Sequence, residues 1–174
     1  LLAMLQRDQP GQALKSIQTA LEFWPDEPEW HAFAASLYQD LGEQNLAAKH
    51  ISEALKTEPN NPNFWQKRAD INLQINNLVS AKQDLEKSAS LESTDADIWV
   101  KMADVNRRLG YVHEATKNIH TASKLNPDDS NISMKEALFL YDTNQYQEAE
   151  IVAGEIANKV NNDSEADILL AKSQ

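Results

Sequence analysis

The chain contains no cysteine. That absence removes disulfides, thiolate metal sites and thiol nucleophiles together, and leaves the redox compartment open. Glycine is scarce, with four residues in 174, which favours helix over sheet. Positive charge is the minority sign: 16 Lys and Arg face 27 Asp and Glu, for a net charge of −11. Binding to nucleic acid or anionic lipid needs clustered cations that release counterions, so neither is an expected partner. No apolar run approaches the roughly 18 residues of a spanning helix, and no direct membrane insertion is expected. Leu1 to Leu5 are apolar but too few, and lack the basic flank of a secretion signal. These features favour a cytoplasmic location and leave a periplasmic or extracytoplasmic one open.

What the chain does have is a fixed interval. Ala13, Ala47, Ala81, Ala115 and Ala149 follow one another at 34 residues. Ala35, Ala69, Ala103, Ala137 and Ala171 keep the same step, 22 residues ahead of the first series. A period of this length signals a stack of one supersecondary unit. In residues 62–95, Phe64, Trp65, Ile71 and Ile75 stripe one helical face, and Leu78, Ala81, Leu85 and Leu91 stripe a second. Asn76-Asn77 lies between them, with Gly42, Gly110 and Asn144 at the matching places elsewhere. Gly and Asn tolerate the left-handed backbone of a tight helix end.

Starts are marked as clearly. Asn61 precedes Pro62, Asp95 precedes Ala96 and Asp129 precedes Ser130, each an N-cap ahead of a helix. Pro25, Pro59 and Pro127 share one phase just beyond a second helix. The alanines are read as spacers, because helices approach to about 8 Å only where small side chains sit at the crossing. Ile17, Ile51, Leu85 and Ile119, and likewise Leu37, Ile71, Val105 and Phe139, share phases beside them as larger fillers.

These units resemble tetratricopeptide repeats. The family pattern has a small residue eighth, alanine twentieth, a large apolar residue twenty-fourth, alanine twenty-seventh and proline thirty-second. The repeat from Pro28 matches with Ala35, Ala47, Ile51, Ala54 and Pro59, plus Tyr38 and Gly42. The repeat from Ala96 matches with Trp99, Ala103, Ala115, Ile119, Ala122 and Pro127. The resemblance implies an all-α, right-handed α-solenoid of antiparallel helix hairpins. Departures are Arg68 and Glu136 at the usually leucine seventh place, and Ala153 where a bulky residue is expected. The expected division is a partial repeat over 1–27, full repeats over 28–61, 62–95, 96–129 and 130–163, and the start of another over 164–174. Leu1 falls at the eighth place of a repeat and Gln174 at the eleventh of another, and Ile168, Leu169 and Leu170 read as an uncapped apolar face; together these predict that the natural protein continues beyond both ends and admit self-association there.

Function is sought on surfaces, since fold alone licenses no chemistry. The resemblance implies that the first helix of each repeat lines a concave groove through its second, fifth, sixth, ninth, twelfth and thirteenth places. The sixth places of three repeats are Lys67, Lys101 and Lys135, a lysine ladder. Asp70 and Asp104 hold the ninth, with Arg107 and Arg108 close by. Asn63, Gln66, Asn131, Met134 and Tyr141 complete the candidate groove. One reading is a groove for an extended peptide carrying acidic groups. The other pairs Lys67 with Asp70 and Lys101 with Asp104 along the helix surface, leaving the ladder without a function. The carboxylate clamp of chaperone-partner domains, Lys fifth and Asn ninth, does not occur: Ala32 and Ser36, Gln66 and Asp70, and Val100 and Asp104 stand there.

No catalytic, metal or cofactor site is expected. His31, His50, His113 and His120 form no His-Glu-x-x-His pattern and read as surface or partly packed. The expected function is a non-catalytic scaffold that binds a partner protein or peptide, acidic in the sharper version, through the groove. A recruiting arm of a larger enzyme and a self-assembling solenoid are the alternatives.

Overall fold

The structure, a computed structural model, describes residues 10–92 and 94–159. Ala171, the Ile168–Leu170 face and the expected repeat over 164–174 lie outside the described residues, as do residues 1–9 of the partial first repeat. The chain divides into two compact bodies, residues 1–92 and 93–174.

The first body holds α1 (Pro10–Phe23), α2 (Pro28–Asp40), α3 (Gln44–Thr57), α4 (Pro62–Gln74) and α5 (Leu78–Leu91). The second holds α6 (Ala96–Arg108), α7 (Val112–Leu125), α8 (Ser130–Asp142) and α9 (Tyr146–Lys159). All described elements are helices, and within each body every helix packs on the next in sequence. Among the described residues no helix is long and apolar enough to cross a membrane.

Four turns close the hairpins in one way. Gly42, Asn76, Gly110 and Asn144 have φ of 78°, 59°, 83° and 63°, the left-handed region that Gly and Asn enter most readily. After each, an amide reaches back to a carbonyl of the last helical turn: Glu43 to Tyr38, Asn77 to Asn72, Tyr111 to Asn106 and Gln145 to Leu140, all at 2.8 Å. This six-to-one bond satisfies a carbonyl that the helix end would otherwise leave open.

The helix starts differ among themselves. Asn61, Asp95 and Asp129 accept from the backbone N–H groups of Asn63, Asp97 and Asn131, at 3.1, 2.9 and 2.9 Å. Such caps contribute about 1 kcal/mol each. Glu27 occupies the same place ahead of α2 and makes no side-chain cap bond.

The alanine spacers are buried in every described position of both series. Ile17, Ile51, Leu85 and Ile119 fill the space beside the first series and are buried in turn, each stabilising its hairpin by roughly 1.5–3 kcal/mol. Ala153, the small residue at a bulky place, is fully buried among Ala137, Leu140, Ala149 and Ile156.

The two seventh-place departures are polar pairs. Arg68 Nε and Nη2 donate to Asp84 Oδ2 and Oδ1 across α4 and α5. Glu136, buried on α8, bonds to His120 Nδ1 on α7 at 2.9 Å. A further polar contact was not legible in the pattern: His31 on α2 and His50 on α3 bring their Nδ1 atoms to 3.1 Å. His31 Nε2 meets Pro25 O at 2.8 Å, repeating the bond of Trp65 Nε1 to Pro59 O at 2.7 Å one repeat later.

Candidate functional site

The groove-facing places on the first helices fall into two sets, one in each body. In the first body, α4 carries Asn63, Gln66, Lys67 and Asp70. Asn63 is exposed at the capped helix start, while Gln66, Lys67 and Asp70 are half-buried. Lys67 Nζ donates to Ser36 Oγ on α2 at 2.6 Å, so this rung is tied to the neighbouring first helix.

The second body treats the same phase differently. Lys101 pairs with Asp97, one turn earlier on α6, at 2.9 Å. Asp104 holds Arg107 at 2.8 Å and Arg108 at 3.6 Å. Lys135 on α8 stands to Asp104 as Lys67 stands to Ser36, 31 residues on. Asp104 is engaged by its two arginines, and the exposed Lys135 makes no hydrogen bond or ion pair among the described residues.

A cleft opens where that tie is missing. A cavity of about 340 Å³ lies between α6 and α8, floored by Ala103, Ile119 and Phe139 and edged by Asp104, Arg107, Lys135, Leu138 and Asp142. A second cavity of about 420 Å³ adjoins it toward the helix starts, lined by Asp97, Val100, Asn131, Ile132 and Lys135 among others. Val100 and Lys135 line both. The result is an apolar floor with acidic and basic rims, and one cation, Lys135, with no partner among the described residues. That combination suits a chain segment that buries an apolar side chain and presents a carboxylate to Lys135.

The structure thus brings Asp104, Arg107, Lys135 and Asn131 to one trough, with Lys101 and Arg108 beside it through their aspartate partners. Met134 and Tyr141 sit elsewhere: both are half-buried against the Ala137–Leu140–Ile156 cluster, and Tyr141 packs edge-on to Tyr146 with ring centroids 5.3 Å apart. Val100, Leu138 and Asp142 belong to the trough and were not among the candidates. They hold the fifth, ninth and thirteenth places, all in the ligand-facing set, so the phase already pointed to them. Among the described residues no group of three or more His, Asp or Glu side chains is arranged to hold a metal ion.

No protein-family model and no curated protein sequence matches the chain. Solved structures do. MamA from Desulfovibrio magneticus superposes with a TM-score of 0.82 at 16% identity, over 99% of this chain and 92% of that one. Pseudomonas aeruginosa PilF gives 0.80 at 22% identity over 98% and 79%. YrrB, described as a TPR protein with an unusual peptide-binding site, gives 0.77 at 15% identity over 92% and 82%. The chain has the tetratricopeptide-repeat fold.

Proposed function

We propose that this chain is a non-catalytic protein-binding scaffold, and that the α6–α8 cleft holds an extended peptide or helix of a partner protein. The repeats over 96–129 and 130–163 form the binding module in this reading. The carrying observation is Lys135, without a partner among the described residues at the edge of an apolar cavity, against a Lys67 that Ser36 already occupies. A partner carboxylate satisfies Lys135, and an apolar partner side chain fills the space over Phe139 and Leu138. The acidic character of the peptide follows from that cation. YrrB supplies a precedent for peptide binding on this fold.

Selection of peptides from a displayed random library, followed by amide chemical-shift mapping on the whole chain, tests the reading. Selected peptides carry Asp or Glu beside a large apolar residue and shift Val100, Lys135 and Leu138. Shifts confined to other helices overturn it.

A further inference from the structure

Outside the α6–α8 cleft, the most unusual surface is aromatic. Phe23, Trp24, Trp30 and Phe33 lie within eleven residues around the α1–α2 turn, and Phe23 and Trp24 remain 71% and 58% exposed. They form two tilted pairs, Phe23 with Trp24 at 5.9 Å between centroids and Trp30 with Phe33 at 6.0 Å. Trp24, Trp30 and Phe33 line a cavity of about 280 Å³ together with two carboxylates, Glu27 and Glu29.

We propose that this cavity is a second recognition site, an aromatic and acidic cage for the arginine or lysine side chain of a partner protein. The ring faces carry negative quadrupole charge, and both carboxylates add to the attraction for a cation. The carboxylates are uncommitted. Glu27 stands where Asn61, Asp95 and Asp129 cap their helices, yet it makes no cap bond. Neither Glu27 nor Glu29 has a side-chain partner among the described residues. An apolar occupant would desolvate both without pairing either, whereas a guanidinium or ammonium group satisfies them.

The repeat phase supports the same occupant. Phe33 holds the sixth place, where the three later repeats carry Lys67, Lys101 and Lys135. The ladder changes from cation to aromatic where the surrounding charge is acidic, so this hairpin accepts positive charge rather than presenting it. A cavity of about 280 Å³ is below the usual range for a whole small-molecule ligand and suits one long side chain. The exposed Phe23, packed at a tilt beside Trp24 and outside the cavity, offers apolar surface to the residues flanking that side chain, which favours a protein segment over a free small cation.

The test titrates the chain with a short Gly/Ser peptide carrying one central arginine, following the indole N–H signals of Trp24 and Trp30. A matched peptide with citrulline, and tetramethylammonium chloride, are titrated alongside. The arginine peptide is expected to shift both signals saturably and bind about tenfold more tightly than the citrulline peptide. Trp24→Ala and the double variant Glu27→Gln/Glu29→Gln, each checked for unchanged thermal unfolding, are expected to weaken binding by about tenfold. Equal binding of the citrulline peptide, no shift up to about 10 mM peptide, or unchanged affinity in both variants overturns the proposal. Tetramethylammonium binding as tightly as the peptide overturns the protein source. None of these outcomes bears on the α6–α8 cleft, which lies in the other body.

Discussion

Arg68 grips Asp84 with two hydrogen bonds, Nε to Oδ2 at 3.0 Å and Nη2 to Oδ1 at 2.6 Å, and Asn72 Nδ2 adds a third to Oδ2 at 2.9 Å. The Asp84 side chain is only 4% exposed, and Arg68 covers it with its guanidinium 4.6 Å from the Trp65 ring centre. The pair replaces the leucine contact of the seventh place, so the hairpin is joined by a polar clasp instead of an apolar one.

Restoring the usual residue should therefore harm the fold. Arg68→Leu leaves Asp84 buried with only Asn72 as donor, which costs about 3 kcal/mol, the low end for breaking a buried pair. Arg68→Leu with Asp84→Leu and Asn72→Leu, which removes the buried acceptor together with both of its donors, should unfold close to the wild type, because replacing all the partners by apolar groups is often neutral. Chemical denaturation of the two variants separates a clasp from a bystander. Equal destabilisation by both contradicts the assignment.

The alanine spacing makes a second prediction. Ala81 is fully buried between helices. Ala81→Leu should overpack the α4–α5 hairpin and cost about 1–3 kcal/mol. An unchanged denaturation midpoint in that variant would contradict the packing register.

Acid should loosen the first body through His50. Pro25 O can only accept, so His31 Nε2 carries a proton, and with His31 neutral its Nδ1 accepts from His50 Nδ1 at 3.1 Å. Burial first, then the neighbouring His31 and Lys49, hold the His50 pKa below its ordinary value of 6.5, against an opposing pull from Glu53. The folded state thus resists a proton that the unfolded chain accepts, so this contribution is fully present above pH 6.5 and lost as pH falls below it. Thermal unfolding between pH 8 and pH 5 should show a smaller acid decline in His50→Gln than in the wild type. Parallel curves would sink the mechanism.

Helices, turns and buried spacers were legible because they repeat: a left-handed turn residue and a small crossing residue are demanded by backbone and packing at every step. Arg68–Asp84, His120–Glu136 and His31–His50 were not, because each joins side chains 16 or 19 residues apart on adjacent helices and occurs once. The groove was half legible. Phase put Lys67 and Lys135 at equivalent places, but whether each is tied depends on the opposing residue. Ser36 is small and available to Lys67, whereas Asp104 is already held by Arg107 and Arg108. Met134 and Tyr141 share the phase of groove residues but pack half-buried against the cluster that α9 completes, which the phase does not encode.

The central claim is that the α6–α8 cleft recognises a peptide through Lys135 and its apolar floor. Calorimetric affinity of a library-selected peptide for the wild type, Lys135→Glu, Leu138→Asp and Lys67→Ala tests it most directly. Lys135→Glu and Leu138→Asp alter exposed side chains and should each raise the Kd at least about tenfold, with Lys67→Ala near the wild type. A Kd unchanged in both cleft variants would contradict the account.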